Sequence, residues 1–228
     1  MSNLNKKYIL LSYPLAKNTP VYGDTPPVKI VKVKEIVKGD ACNTFWLSFS
    51  NHAGTHIDAP YHFDEKGKKI LDYSIGELVF ESPLLLDCPK DPDGMIEIAD
   101  LQDRTADLKK CDLLLLRCGL FSRRKTKDYY LHNVGIASST ASWLRSNFPN
   151  IKVLGIDSLS ISSINNKEEG RKAHQNFLCP DENGSQPILL LEDVNLTKDL
   201  TKIKKMFVAP LFVDGVDGVP CAVFAEVG

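Results

Sequence analysis

The chain has 228 residues, 43% of them hydrophobic, which is enough to bury a core without disulfide staples. Its 28 lysines and arginines meet 29 aspartates and glutamates, and the formal net charge of -1 excludes a long-range field that would gather nucleic acid or an acidic membrane. No run of 18 apolar residues occurs, so no segment reads as a membrane-spanning helix.

In chain order, the opening MSNLNKKYILLSYPL carries two lysines but only a four-residue apolar run before a serine, too short for a secretory leader. Residues 8–11 read as a short strand, and KNTPVYGDTPP after them as turn chemistry. Residues 28–37 alternate apolar and charged side chains, the period of a strand with one solvated face, and residues 44–49 form a second β-favouring run. After a polar loop, DEKGKKI, residues 83–86 start a buried strand. Leu101 and Leu108 stand one heptad apart, which predicts a helix over 98–108 feeding the buried strand 113–116. A second helix is expected over 138–148, capped by Ser138 or Ser139 and stopped by Pro149, before a strand at 151–156. Apolar runs at 188–191, 206–213 and 219–225 complete a mixed, strand-rich α/β pattern. With no repeat or linker, residues 1–228 read as one domain.

Cys42, Cys88, Cys111, Cys118, Cys179 and Cys221 lie far apart without a CxxC pair, as reduced structural thiols do, which points to the cytoplasm. Chemistry concentrates elsewhere. SNHAGTHIDAPYHF, residues 50–63, holds three of the five histidines. If Thr55-His56-Ile57-Asp58 is extended, His56 and Asp58 share one face while Ile57 turns to the core. Gly54, the β-branched Thr55 and Ile57, and Pro60 argue against a helix, and Gly54 lets the backbone fold His52 back beside the other two. Two nitrogens and an oxygen suit a zinc, manganese or iron ion with open positions for water and substrate. His62, past Pro60, has an ordinary pKa near neutrality and suits proton transfer beside such an ion.

Other segments carry less. VDGVDGVP, residues 213–220, lacks the full acid set of a calcium loop and reads as a glycine turn between strands. SRRKTKDYY, residues 122–130, reads as a solvated loop. GIDSLSIS is not a nucleophile elbow, and Asp157 there is expected to cap or brace the site from a strand end, partnership with a ligand histidine being one form of that role. His132 is read as structural or exposed, and Phe45, Trp46 and Tyr61 as core aromatics.

The motif His52-x-Gly54-Thr55-His56-x-Asp58-x-Pro60-x-His62-Phe63 resembles the signature of the cyclase family of metal-dependent hydrolases, which includes kynurenine formamidase (arylformamidase) and isatin hydrolase. The likeness extends through Leu11-Ser12-Tyr13-Pro14-Leu15, Leu116-Arg117-Cys118-Gly119, Gly155-Ile156-Asp157 with Ser160, and Ala209-Pro210-Leu211. Leu10, Cys118 and Phe121 depart from the family's usual aspartate, threonine and tryptophan. The resemblance implies a single-domain, strand-rich α/β fold of the swivelling β/β/α type. It implies His52, His56 and Asp58 as metal ligands, His62 as acid/base, and His174 and Glu192 beside the metal, where with Asp58 they would hold a second ion. Zinc is the first choice and manganese the second, with one or two ions per chain.

The implied activity is hydrolysis of a C–N bond in a formamide, amide or lactam of a small aromatic or cyclic molecule. The alternatives are a metal-dependent cyclisation or dehydration, or a silent metal-binding protein whose long 174–192 segment blocks the pocket. The expected partners are a small-molecule substrate and further copies of the chain, in a dimer or tetramer, with neither nucleic acid nor membrane.

Overall fold

Leu113, Leu114, Leu115 and Leu116 are all fully buried. A strand sends successive side chains to opposite faces, so such a run requires a sheet covered on both sides. The computed structural model, which describes residues 8–228, shows how. Its elements are β1 (Tyr8–Leu10), β2 (Lys29–Lys34), β3 (Thr44–Ser48), β4 (His56–Asp58), β5 (Val79–Phe80), β6 (Pro83–Asp87), β7 (Met95–Ile96), α1 (Thr105–Leu108), β8 (Leu113–Arg117), α2 (Asp128–Leu131), β9 (Gly135–Ile136), α3 (Ser138–Asn147), β10 (Val153–Ile156), α4 (Lys167–Leu178), β11 (Leu189–Glu192), β12 (Ile203–Pro210) and β13 (Gly218–Val227). The architecture is the expected mixed, strand-rich α/β type.

Nine strands form one sheet in the order β5-β12-β13-β4-β11-β10-β8-β6, with β1 added on β13. β6, β8, β10 and β11 run parallel, while β4 is antiparallel to both β11 and β13. Leu114, Leu116, Leu154, Ile156 and Leu190 face one apolar cluster, with Ala141 and Leu144 of α3 and Ala173 and Phe177 of α4. Leu113, Leu115, Val153, Leu189 and Leu191 face the other, with Ile57, Val219, Val223 and Met206.

Register places the chemistry. Leu190 pairs with Asp58 and Glu192 with His56 across β11 and β4, and on the other side Gly218 pairs with Asp58 and Pro220 with His56. His56, Asp58 and Glu192 therefore share a face at the carboxyl end of the parallel strands, where open α/β sheets place their ligands.

Several segments differ from the sequence reading. The leader reading falls partly on residues 1–7, outside the described residues. Residues 98–108 are two 3-10 turns and the single turn α1 rather than one helix. Local side-chain bonds compete with helix there: Asp100 accepts from the Glu97 N–H at 2.7 Å, and Thr105 Oγ1 donates to the Gln102 carbonyl at 2.6 Å. Neither Ser138 nor Ser139 caps α3, whose N-cap is Ala137, and the Ser138 N–H donates instead to Glu169 of α4 at 2.7 Å. α4 itself was not expected. The β2–β3 hairpin, read as having one solvated face, exposes both: Val31, Val33, Phe45, Trp46 and Leu47 are each at least half exposed, and Val37 in its turn is 87% exposed. Phe45 and Trp46 are accordingly not core aromatics. The six cysteines are free, as expected.

Candidate metal centre

The segment after β3 turns sharply at Gly54, whose φ of 69° lies in the left-handed region that favours glycine. That turn brings His52 back over β4, while the extended backbone of β4 sends His56 and Asp58 to the same side. Pro60 opens a 3-10 turn that ends on His62. From α4 comes His174, one turn after Gly170, where any side chain would overlap Ser162. Glu192 closes β11. All six residues singled out in the sequence, His52, His56, Asp58, His62, His174 and Glu192, line one cavity of roughly 330 Å³.

The Nδ1 protons of His56 and His174 are committed outward. His56 Nδ1 lies 2.8 Å from the Gly54 carbonyl and His174 Nδ1 2.8 Å from the Gly170 carbonyl. A carbonyl only accepts, so each Nδ1 donates and each Nε2 presents its lone pair to the cavity. His52 meets a carboxylate at each ring nitrogen, with Nε2 2.9 Å from Asp217 Oδ2 and Nδ1 2.8 Å from Asp58 Oδ1. His56 Nε2 lies 3.5 Å from the same oxygen and 3.3 Å from Glu192 Oε2, and His174 Nε2 is 3.5 Å from Glu192 Oε1. At His56 and His174, lone pairs thus face carboxylate oxygens.

Asp58 Oδ1 is buried and accepts no hydrogen bond of ordinary geometry, although two imidazole nitrogens lie near it. Such a group is costly unless a positive charge compensates it. The same demand shows in the acid–base balance. Burial would keep these rings neutral, yet Asp58 with Asp217 outweighs it at His52 and raises its pKa to about 10. Asp58 and Glu192 raise His56, and Glu192 raises His174, in the same way. Donor atoms of His52, His56 and Asp58 lie within 4.8 Å of one another, as do those of Asp58, His62 and His174. Two buried carboxylates among three imidazoles are the donor set that a divalent cation satisfies in place of the protons, so the residues present fit one.

VDGVDGVP leads, as its glycines predict, through a turn from β12 to β13, and it also carries Asp217, which sequence reasoning did not single out. Its Oδ2 accepts from His52 Nε2 at 2.9 Å and from His62 Nδ1 at 2.5 Å, and its Oδ1 from Asn51 Nδ2 at 2.7 Å. Burial pushes this carboxyl up, but the hydrogen bonds from His52 and His62 hold it well below the usual carboxylate range. One ionised carboxylate therefore orients both His52 and His62. Asp157 gives the strand-end bracing expected of it, accepting from the backbone N–H groups of Cys118 and Gly119 at 2.6 and 3.0 Å at the end of β8, and among the described residues it orients no ligand histidine.

His132 is exposed, as read, and pairs with Asp93 at 2.8 Å. Two further readings change. Residues 122–130 are not wholly solvated, because Tyr129 is buried and Arg124 bonds to buried Asp193. The segment between His174 and Glu192 does not obstruct the cavity. None of residues 179–187 lines it. Arg145 gathers that segment on the far side of α4 by donating to the carbonyls of Asn176, Cys179, Ser185 and Gln186.

Comparison with known proteins follows the same lines. Residues 9–163 match a family model described as "Putative cyclase". A kynurenine formamidase of Bacillus cereus is 29% identical over 215 residues, covering 94% of each chain. Among solved structures, a potential metal-dependent hydrolase with cyclase activity superposes with a TM-score of 0.76 at 23% identity, covering 97% of this chain and 98% of that one. An isatin hydrolase bound to the product analogue thioisatinate gives 0.76 at 21%, covering 96% and 92%. These two share the fold.

Proposed function

The chain belongs to the cyclase family, and we propose that it is a metal-dependent hydrolase cleaving the C–N bond of a small aromatic amide, with an N-formyl aryl amine as the first substrate to try. The observation that carries this reading is the outward commitment of the ring protons of His56 and His174, which turns two nitrogen lone pairs toward the cavity, together with the unsatisfied Oδ1 of Asp58, the residue that both ligand clusters share. The 29% identity to a kynurenine formamidase along 94% of the chain supports the choice of substrate class.

His52, His56 and Asp58 would hold the ion, and His174 with Glu192 would hold a second, sharing Asp58. A bound zinc ion, or manganese as second choice, supplies water ionised near neutral pH and polarises the scissile carbonyl. The protein does the rest. Tyr22, Phe63 and Leu159 line the cavity with apolar surface against which an aryl ring packs. His62 donates Nδ1–H to Asp217, so its Nε2 is free to take a proton from the attacking water and return it to the leaving nitrogen. Asp217 holds that tautomer in place, and its shared bond to His52 ties the orientation of the proton carrier to that of a ligand.

Both apolar clusters flank one continuous sheet, which supports reading the chain as a single domain. The exposed apolar side chains of the β2–β3 hairpin, including Trp46 at 67%, support a homo-oligomer, since a patch of this kind on a monomer marks an interaction surface. Buried free thiols at Cys88, Cys111, Cys118 and Cys221 support a reducing compartment such as the cytoplasm.

The test is a pair of variants. His62→Ala is expected to keep the metal and lose turnover by roughly 10²- to 10⁴-fold, whereas Asp58→Ala loses both. Parental turnover in His62→Ala on every formamide, amide and lactam assayed would overturn the assignment.

A further inference from the structure

One buried ionic group beside the site takes no part in the chemistry above. Asp193 follows Glu192, is 0% exposed, and adopts a φ of 52°, a left-handed conformation that is strained for a residue other than glycine. Its carboxylate is clamped at both oxygens. Oδ1 accepts from Arg124 Nε at 2.9 Å and from the Tyr129 hydroxyl at 2.5 Å, and Oδ2 accepts from Arg124 Nη2 at 2.5 Å. The guanidinium stacks on the Tyr13 ring, 3.7 Å from its centre.

The backbone of the same residue is tied to the neighbours of other site residues. Asp193 N donates to the Ser158 carbonyl at 2.9 Å, two residues before Ser160, whose hydroxyl donates to Glu192 Oε1 at 2.9 Å. The Asp193 carbonyl accepts from Thr55 Oγ1 at 2.6 Å, and Thr55 precedes His56. The left-handed turn therefore stops β11 with Glu192 as its last residue, its carboxylate between His56 Nε2 at 3.3 Å and His174 Nε2 at 3.5 Å.

Stability alone explains this arrangement poorly, because a buried ion pair is often no better for folding than apolar groups of the same volume. A forked guanidinium on a carboxylate does fix one plane and one orientation, which apolar packing does not. We propose that Asp193 and Arg124 are positioning residues: their ion pair holds the turn that aims Glu192 between His56 and His174, and so sets the affinity of the Glu192 side of the site for a divalent cation. This rests on the reading of the site as a cation site.

The test uses full-length protein stripped with a chelator, titrated with zinc by calorimetry, with thermal melts of the stripped protein run alongside. D193N keeps volume and tolerates a left-handed backbone but loses the charge, and R124M removes the fork. In both, zinc binding is expected to weaken by about 10- to 100-fold, the usual effect of losing a group that orients a ligand. R124K, which keeps charge without the planar fork, falls between. E192Q should cause a comparable loss, and E192Q/D193N should bind like E192Q alone, since the two act through one carboxylate. Parental affinity in folded D193N and R124M, or losses that add fully to that of E192Q, would overturn the proposal. If both variants fail to fold, Y129F decides: removing one hydrogen bond to Asp193 should weaken zinc in the same direction, and parental affinity would refute the clamp. A parental protein that binds no divalent ion would instead sink the cation reading itself.

Discussion

Gly218 offers a direct probe of Asp58, because it faces that residue across the β13–β4 pair. A Cβ at 218 would stand 2.7 Å from Asp58 Oδ1, 2.9 Å from the Ile57 carbonyl and 3.0 Å from His52 Cε1. Carbon–oxygen contacts are comfortable from about 3.3 Å, so in Gly218→Ala the Asp58 oxygen must retreat by roughly 0.6 Å, or the strands must part as far. Ligand distances hold to within about 0.2 Å in working metal sites, so this displacement is large on the scale that matters. Zinc affinity should fall by about 10- to 100-fold, or roughly 1.4–2.8 kcal/mol. Overpacking should separately lower folding stability by about 1–3 kcal/mol. Calorimetric zinc titration of the stripped protein measures the first, and denaturant unfolding with chelator present the second. Gly76→Ala, where a Cβ meets nothing within 4 Å, is the control and should change neither. Parental zinc affinity in folded Gly218→Ala would mean that Asp58 Oδ1 does not face the ion.

Asp217→Asn removes the negative charge that His52 and His62 share at Oδ2, and if its carbonyl oxygen keeps both ring N–H groups its amide N–H must face the Asn51 Nδ2 donor. Turnover should drop by about 10²-fold or more, measured as kcat with zinc content followed in parallel, and an unchanged kcat would remove Asp217 from the site. Trp46→Glu on the exposed hairpin should shift the parental oligomer toward monomer in light scattering, and a monomeric parent would refute the hairpin as the contact.

What the sequence revealed follows from how locally each feature is encoded. His52, His56, Asp58 and His62 lie within eleven residues, and one glycine turn and one three-residue strand suffice to bring them together, so strand alternation alone predicts which side chains converge. His174 and Glu192 came through family resemblance, because the 117 positions between His56 and His174 carry no local signal of proximity. Asp217 gave none either. An aspartate in a glycine-rich turn looks the same whether it bends the chain or accepts from two imidazoles, and only the antiparallel pairing of β13 on β4 brings it to His52.

Helix α4 buries Gly170, Ala173, His174, Phe177 and Leu178 at helical spacing, but a glycine, an alanine and a histidine make up most of that face, and Gly170 reads as a breaker until its contact with Ser162 is seen. The hairpin fails for a different reason. Alternation identifies a strand, but it cannot say whether the apolar face meets this chain's own core, and in β2 and β3 it does not. Arg124 and Tyr129 likewise sit in a segment that charge counting assigns to solvent, while a buried carboxylate far along the chain claims them both.

Metal dependence of formate release from an N-formyl aryl amine is the most direct measurement. Chelator-stripped protein, shown metal-free by elemental analysis, should be inactive, and adding zinc or manganese should restore turnover in proportion to the ions bound. Undiminished turnover by the stripped protein would contradict a site in which His52, His56 and Asp58 act by holding a divalent cation.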